Sequence, residues 1–243
     1  MNLRLEFQIE RWCAWVAAEL GVSPASGKCG RIICSATPDV SFIPLMQRRR
    51  LSPMARAAAA AAWPCLRKEE SIPLICCSLH GETYHCFSIL NELAAGREVS
   101  PSRFALSVHG AVGGLLSQFS GNRAPCVAIA PGEEGYSAAL LEAAGMLAEG
   151  GGSQEVVIVW YEQPLPGVYH DYVADPAGVM ALAVRVAPWR GQEGSLILER
   201  TAGFVGRTER DPLLTLIGGF AQSSGGWLLA GGTGCWRWRV ESV

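Results

Sequence analysis

The sequence predicts an α/β fold with a mainly parallel central sheet and helices on both faces. Three observations carry this. Short apolar runs at 72–78, 124–130 and 156–161 have the length and composition of buried strands. Helical stretches lie between them, and Gly or Pro marks the junctions. Regular alternation of strand and helix implies βαβ units and a parallel sheet. The chain has 243 residues, enough for one large core. It shows no internal repeat, coiled coil or linker, so a single domain over 1–243 is expected.

In chain order, 3–8 alternates as a strand, and 11–20 reads as a short amphipathic helix ending at Gly21. The stretch 22–40, rich in Gly, Pro and Ser, reads as loop. Ser52-Pro53 supplies an N-cap and a proline at the first helical position, opening a helix through the alanine tract to Trp63, where Pro64 follows. Strand 72–78 precedes a helix over 81–95, closed by Gly96. Ser100-Pro101 starts a second helical region that carries the small residues Gly110, Ala111, Gly113 and Gly114. Strand 124–130, helix 133–148 and strand 156–161 come next, with the helix stopped by Glu149-Gly150-Gly151-Gly152. The last third changes character: 180–186, 195–200 and 236–240 read as amphipathic strands, with a helix over 211–221 between them.

The net charge of −2 gives no basic field for nucleic acid or an anionic membrane. Charged residues make up 17% and apolar residues 49%, which fits either a large core or a surface covered by a partner. No apolar run reaches the length of a membrane span. The start, MNLRLEFQIERW, alternates instead of forming a signal core, so a cytoplasmic protein is expected. The nine cysteines are odd in number and lack framework spacing. They read as reduced thiols, with Cys34, Cys76, Cys77 and Cys126 in apolar runs acting as small hydrophobes.

The segment 104–141 has the strand–elbow–helix pattern that presents a nucleophile in many α/β enzymes. Its elbow, Pro131-Gly132-Glu133-Glu134-Gly135, holds no Ser or Cys. Acids are at home in a helix first turn, and acid–base work by them needs a partner the sequence does not name. Cys76, Cys77, His80, His85 and Cys86 lack zinc spacing, and adjacent Cys76 and Cys77 on a strand face opposite ways. Cys126, which could pair with His109, starts a strand and does not sit at an elbow. Adjacent His170 and Asp171 cannot orient one another as in a triad, and read as surface loop. Glycines at 150–152 and 231–234 match neither a dinucleotide nor a phosphate motif and read as turns. Arg48-Arg49-Arg50 reads as a solvated face or, less favoured, a dock for an acidic partner. No cofactor and no metal are expected.

With SVHGAVGG, GNRAP and AIAPGEEGYSAALLEA in order over 102–143, the chain resembles the N-terminal half of the β-ketoacyl synthases of the thiolase fold. More narrowly, it is similar to the short ketosynthase N-terminal domain-like proteins that accompany true ketosynthases in bacterial aryl polyene clusters. Ile43-Pro44, the stretch Arg48-Arg49-Arg50-Leu51-Ser52-Pro53, Ser78-Leu79-His80-Gly81-Glu82 and Tyr161-Glu162-Gln163-Pro164-Leu165-Pro166 extend the likeness to about 43–166.

The resemblance implies a thiolase-like half domain without the second half. Condensing relatives carry a Cys at the elbow and two His in that second half. Alignment puts Glu133 at the Cys position, so no catalytic residue is carried over. Thiolase-like dimers pair the strand before the elbow across a two-fold. This makes Cys126, Val127, Ala128, Ile129 and Ala130 the expected partner strand, with Gly110, Gly113 and Gly114 as a face for close approach. Leu115, Leu116 and Phe119 are candidates to line an acyl tunnel. The implied function is a non-catalytic, chain-length-factor-like subunit. It would form a heterodimer with an active β-ketoacyl synthase that elongates type II polyketide (aryl polyene) chains on an acyl carrier protein. The rivals are a stand-alone acyl- or malonyl-processing enzyme, a decarboxylase or acyltransferase using Glu133 or Cys126, and a pure stabilising scaffold.

Overall fold

The computed structural model describes residues 3–27, 29–149, 154–191, 193–201, 211–222, 225–232 and 234–241. The chain begins with β1 (Arg4–Ala17), β2 (Ala25–Ser26), β3 (Gly30–Ser35), α1 (Leu45–Arg48) and α2 (Pro53–Ala62). The middle comprises β4 (Leu74–Cys77), α3 (Thr83–Ala94), α4 (Pro101–Ser107), α5 (Ala111–Ser120), β5 (Cys126–Ile129), α6 (Ser137–Ala148) and β6 (Val156–Glu162). Then come β7 (Met180–Pro188), β8 (Ser195–Thr201), α7 (Pro212–Ala221), β9 (Gly225–Gly231) and β10 (Gly234–Glu241).

The strands form one mixed sheet in the order β5-β4-β6-β7-β1-β8-β10-β9, with β3 beside the second half of β1 and β2 on β3. The expected parallel strands are β5-β4-β6, and they lie at one end of the sheet. β7, β1, β8, β10 and β9 extend it antiparallel. Helices cover both faces, as expected. On one side Tyr136, Leu140 and Ala143 from the α6 region and Leu213, Leu216 and Phe220 of α7 pack on Ile158, Trp160 and Trp238. On the other, the alanines of α2 with Val112 and Leu116 of α5 pack on Leu74, Cys76, Val157 and Val159.

Helix α2 begins as its sequence dictates. Ser52 Oγ accepts the Ala55 N–H at 2.9 Å and Pro53 opens the first turn. Alanines 57–62 are all buried, so the helix lies close against the strands.

Three expectations are corrected. The stretch 11–20 is not an amphipathic helix: up to Ala17 it continues β1, and only Ala18–Leu20 turn, as a single 3-10 turn ending at Gly21 as expected. Trp12, Ala14 and Val16 enter one core and Cys13, Trp15 and Ala17 the other. A strand buried on both faces is apolar throughout and loses the period-two signal. The expected loop 22–40 contains β2 and β3, and β3 is recruited by the overhang of β1. Strand β9 was not foreseen: no element is expected over 225–230, and only its last residue, Gly231, reads as the start of a turn. One glycine opposite it has a packing reason: a Cβ at Gly219 would lie 2.5 Å from the Trp227 ring. The expected glycine turn at 150–152 lies outside the described residues.

Candidate functional site

Strands β4, β5 and β6 are parallel, so their C-terminal ends open on the same side of the sheet. That is where α/β proteins place their chemistry. Three connections meet there: the turn 78–82 after β4, the elbow 131–135 after β5, and Glu162-Gln163 closing β6.

Glu162 ties the three together. It is 1% exposed, and its carboxylate accepts the Leu79 N–H at 2.5 Å, the Ser78 hydroxyl at 3.2 Å and the Tyr136 hydroxyl at 3.2 Å. Burial pushes its carboxyl up to about 7, partly offset by those hydrogen bonds. Glu82 behaves likewise. Buried beside Ser52, whose hydroxyl donates to it at 2.7 Å, it is pushed up to about 7 by desolvation. The turn itself needs Gly81, which has φ +54° and where a Cβ would sit 2.6 Å from His109 Nδ1. His109 in turn reaches the Ile129 carbonyl at 3.0 Å, fastening the turn to the end of β5.

The elbow lies where the sequence places it, with a difference. Residues 132–134 form a single 3-10 turn, and the α-helix starts only at Ser137. Gly132 and Gly135 have φ of +55° and +56°, which favours glycine at both. Glu134 is engaged. It accepts Trp236 Nε1–H at 2.7 Å and pairs with Arg200, whose guanidinium lies 4.9 Å from the Trp236 ring centroid. The Glu133 carbonyl accepts the Gly232 N–H at 2.7 Å, while the residue is exposed. Among the described residues no hydrogen bond joins a histidine to Glu133. His170 instead lies 3.3 Å from Asp175 and 3.1 Å from the Leu165 carbonyl.

Strand β5 is the end of the sheet, and its outer edge pairs with no other strand among the described residues. Cys126, Ala128 and Ala130 are exposed, and Val127 and Ile129 half-buried. Cys126 is thus no buried hydrophobe as its apolar run suggests: at an edge the run has no outer neighbour. Cys76 and Cys77 are buried on opposite faces, as expected, and Cys34 is half-buried. The Cys126 thiol is lowered to about 7, chiefly by a hydrogen bond from Cys76 and further by Ser117. Gly113 faces this pair inside the chain. A Cβ there would lie 2.5 Å from Cys126 Sγ and 3.2 Å from Cys76 Sγ. Gly110 approaches Ala128, and Gly114 has open space. Leu116 is buried against α2, with Leu115 and Phe119 half-buried beside it. Glu162, Glu82 and Tyr136 were missed as a group. Each is one polar residue in an apolar run or turn, and only the fold brings them together.

Among the described residues no three His, Cys, Asp or Glu are placed to hold a metal, and no helix is long and apolar enough to cross a membrane. No curated protein matches the chain. A chain in the structure described as a ketosynthase (ApeO) in complex with its chain length factor (ApeC) from Xenorhabdus doucetiae superposes with a TM-score of 0.75 at 22% identity. The match covers 96% of this chain and 99% of that one. At that identity the likeness is one of fold. The ishigamide ketosynthase/chain length factor overlaps more loosely, with a TM-score of 0.48 and 16% identity over 59% of this chain and 46% of its own. A 3-oxoacyl-(acyl-carrier protein) synthase from Burkholderia xenovorans LB400 gives 0.42 and 12%, over 83% of this chain and 54% of its own. The family model described as "Beta-ketoacyl synthase, N-terminal domain" matches residues 24–239. With the elbow, the parallel strands β5-β4-β6 and that match in agreement, the chain belongs to the β-ketoacyl synthase N-terminal domain family and has a thiolase-like fold.

Proposed function

We propose that this protein is a non-catalytic, chain-length-factor-like subunit that pairs with an active β-ketoacyl synthase. The observation that carries the reading is the open β5 edge, small and uncharged, running into an elbow that holds no Ser or Cys and whose Glu133 is exposed; the resemblance aligns Glu133 with the Cys of condensing relatives. A free strand edge is a template for pairing, and soluble proteins usually blunt one with charge or proline. Nothing in Cys126–Ala130 does so. A carboxylate at the elbow cannot hold an acyl group as a thioester, so acyl transfer falls to the partner. The fold likeness to a chain of matching length in a ketosynthase–chain length factor complex supports the same reading. In it, Cys126–Ala130 with Gly114 faces the partner, Leu115 and Phe119 border the acyl path, and Gly110 and Gly113 set the spacing of α5 on β5. The complex would elongate polyketide chains of the aryl polyene kind on acyl carrier protein in the cytoplasm.

The test is co-expression with the ketosynthase encoded nearest to it, followed by size-exclusion chromatography with mass determination and incubation with radiolabelled acyl carrier protein. A one-to-one complex carrying label only on the ketosynthase is expected. Label on this chain, or a homodimer that ignores the ketosynthase, would overturn the reading.

A further inference from the structure

Far from the β5 edge, at the C-terminal end of β1 and four strands across the sheet, lies a cavity of about 440 Å³. It is half open to solvent and bounded by the end of β1, the loop after β3 and the N-terminal turn of α2. Trp15, Leu51 and Val179 make its apolar walls, Ala36 lies on its rim, and Arg56 and Glu19 are the two charged residues that line it. Trp15 Nε1–H is already committed to Ser35 Oγ at 2.9 Å, so its ring offers the cavity only an apolar face.

Arg56 is held in place by its Nη2, which donates to the Arg48 carbonyl at 2.9 Å. Its Nε–H is buried out of reach of the cavity, which leaves the other guanidinium donors for a ligand. The apolar walls leave few groups to hold water in place. A ligand with one anionic head and an apolar body answers both features. Glu19, which also lines the cavity, selects against a second negative charge.

We propose that this cavity binds an amphipathic monocarboxylate, its carboxylate on Arg56 and its apolar body against Trp15, Leu51 and Val179. The volume falls within the range of ordinary small-molecule sites. The site has no part in the elbow or the β5 edge, so it stands whether or not the chain pairs with a ketosynthase.

The test is calorimetric titration of the full chain with sodium octanoate, with 1-octanol and octyl phosphate as neutral and dianionic counterparts. Octanoate is expected to bind about tenfold more tightly than 1-octanol, the worth of a charge-assisted hydrogen bond, and more tightly than octyl phosphate. Arg56→Leu should bring octanoate down to the level of 1-octanol. Should Arg56→Leu not fold, Ala36→Trp decides: it fills the rim from an exposed position and should abolish octanoate binding with the melting temperature unchanged. Equal binding of octanoate and 1-octanol, tighter binding of octyl phosphate, or full octanoate affinity in either variant would overturn the proposal.

Discussion

Glu162 is the residue on which the site depends, because one carboxylate serves the β4 turn, the helix after the elbow and the end of β6 at once. In the unfolded chain it titrates near 4.5, and in the folded protein burial holds the proton to about 7. Between those values the folded state binds more protons, so stability falls as pH rises. The contribution is whole below 4.5 and gone above 7. Glu82 adds a second drop over the same window. Glu162→Gln keeps an acceptor for Leu79 and Tyr136 without the titration. Thermal melts from pH 5 to pH 8 should show a flatter dependence, with Gln gaining on Glu by up to about 3 kcal/mol at pH 8. Parallel curves would remove Glu162 as the cause. Cys126 makes the opposite case, an exposed residue whose thiol, turned toward Cys76 and Ser117, is lowered to about 7. Its alkylation by iodoacetamide should level off above pH 7, where an ordinary thiol is still accelerating. Bound ketosynthase should protect it, and peptide mass mapping reads both effects.

Among the elements, β5 is the one whose backbone has work left. The amides of Leu74 and Ser78 donate to the carbonyls of Pro125 and Ile129. Alternation along the strand then turns the backbone groups of Cys126, Ala128 and Ala130 away from β4. Ala128→Pro deletes one outward N–H without touching the ladder to β4, so the chain should keep its melting temperature and lose the ketosynthase on a sizing column. Loss of folding instead would mean that Ala128 serves β4. Such an edge was half legible in the sequence. The apolar run 124–130 announced a strand, and the order of strands and helices announced the parallel strands β5-β4-β6. That the strand is an edge depends on which strand lies beside it, a non-local fact that no run of residues encodes. The same limit hid the strand in 11–17, apolar on both sides because two cores meet on it, and hid β9, whose Gly231 has a reason only against the Trp236 ring of β10. The elbow was legible because it is local. Its bracing by Arg200 and Trp236 was not, since those residues arrive from β8 and β10.

At the scale of the whole molecule, charge decides what kind of contact this protein makes. It carries 17% charged residues and a net charge of −2, and residues 124–132, the β5 strand and its flanks, contain no charged side chain. Screening weakens an interface held by surface ion pairs, whereas apolar burial is unaffected or strengthened by salt. The competing contact is Arg48-Arg49-Arg50 at the end of α1, with Arg49 and Arg50 at the surface, which would draw an acidic partner from a distance and release it in salt. The two readings separate in one titration. A complex with the ketosynthase formed through β5 should hold its mass on a sizing column from 0.1 to about 1 M sodium chloride, a range over which the Debye length falls from about 10 Å to about 3 Å. It should also be indifferent to reversal of the three arginines to glutamate. Dissociation in salt, or in the charge-reversed variant, would move the contact from the sheet edge to α1. The small residues at the edge would then need another explanation than pairing.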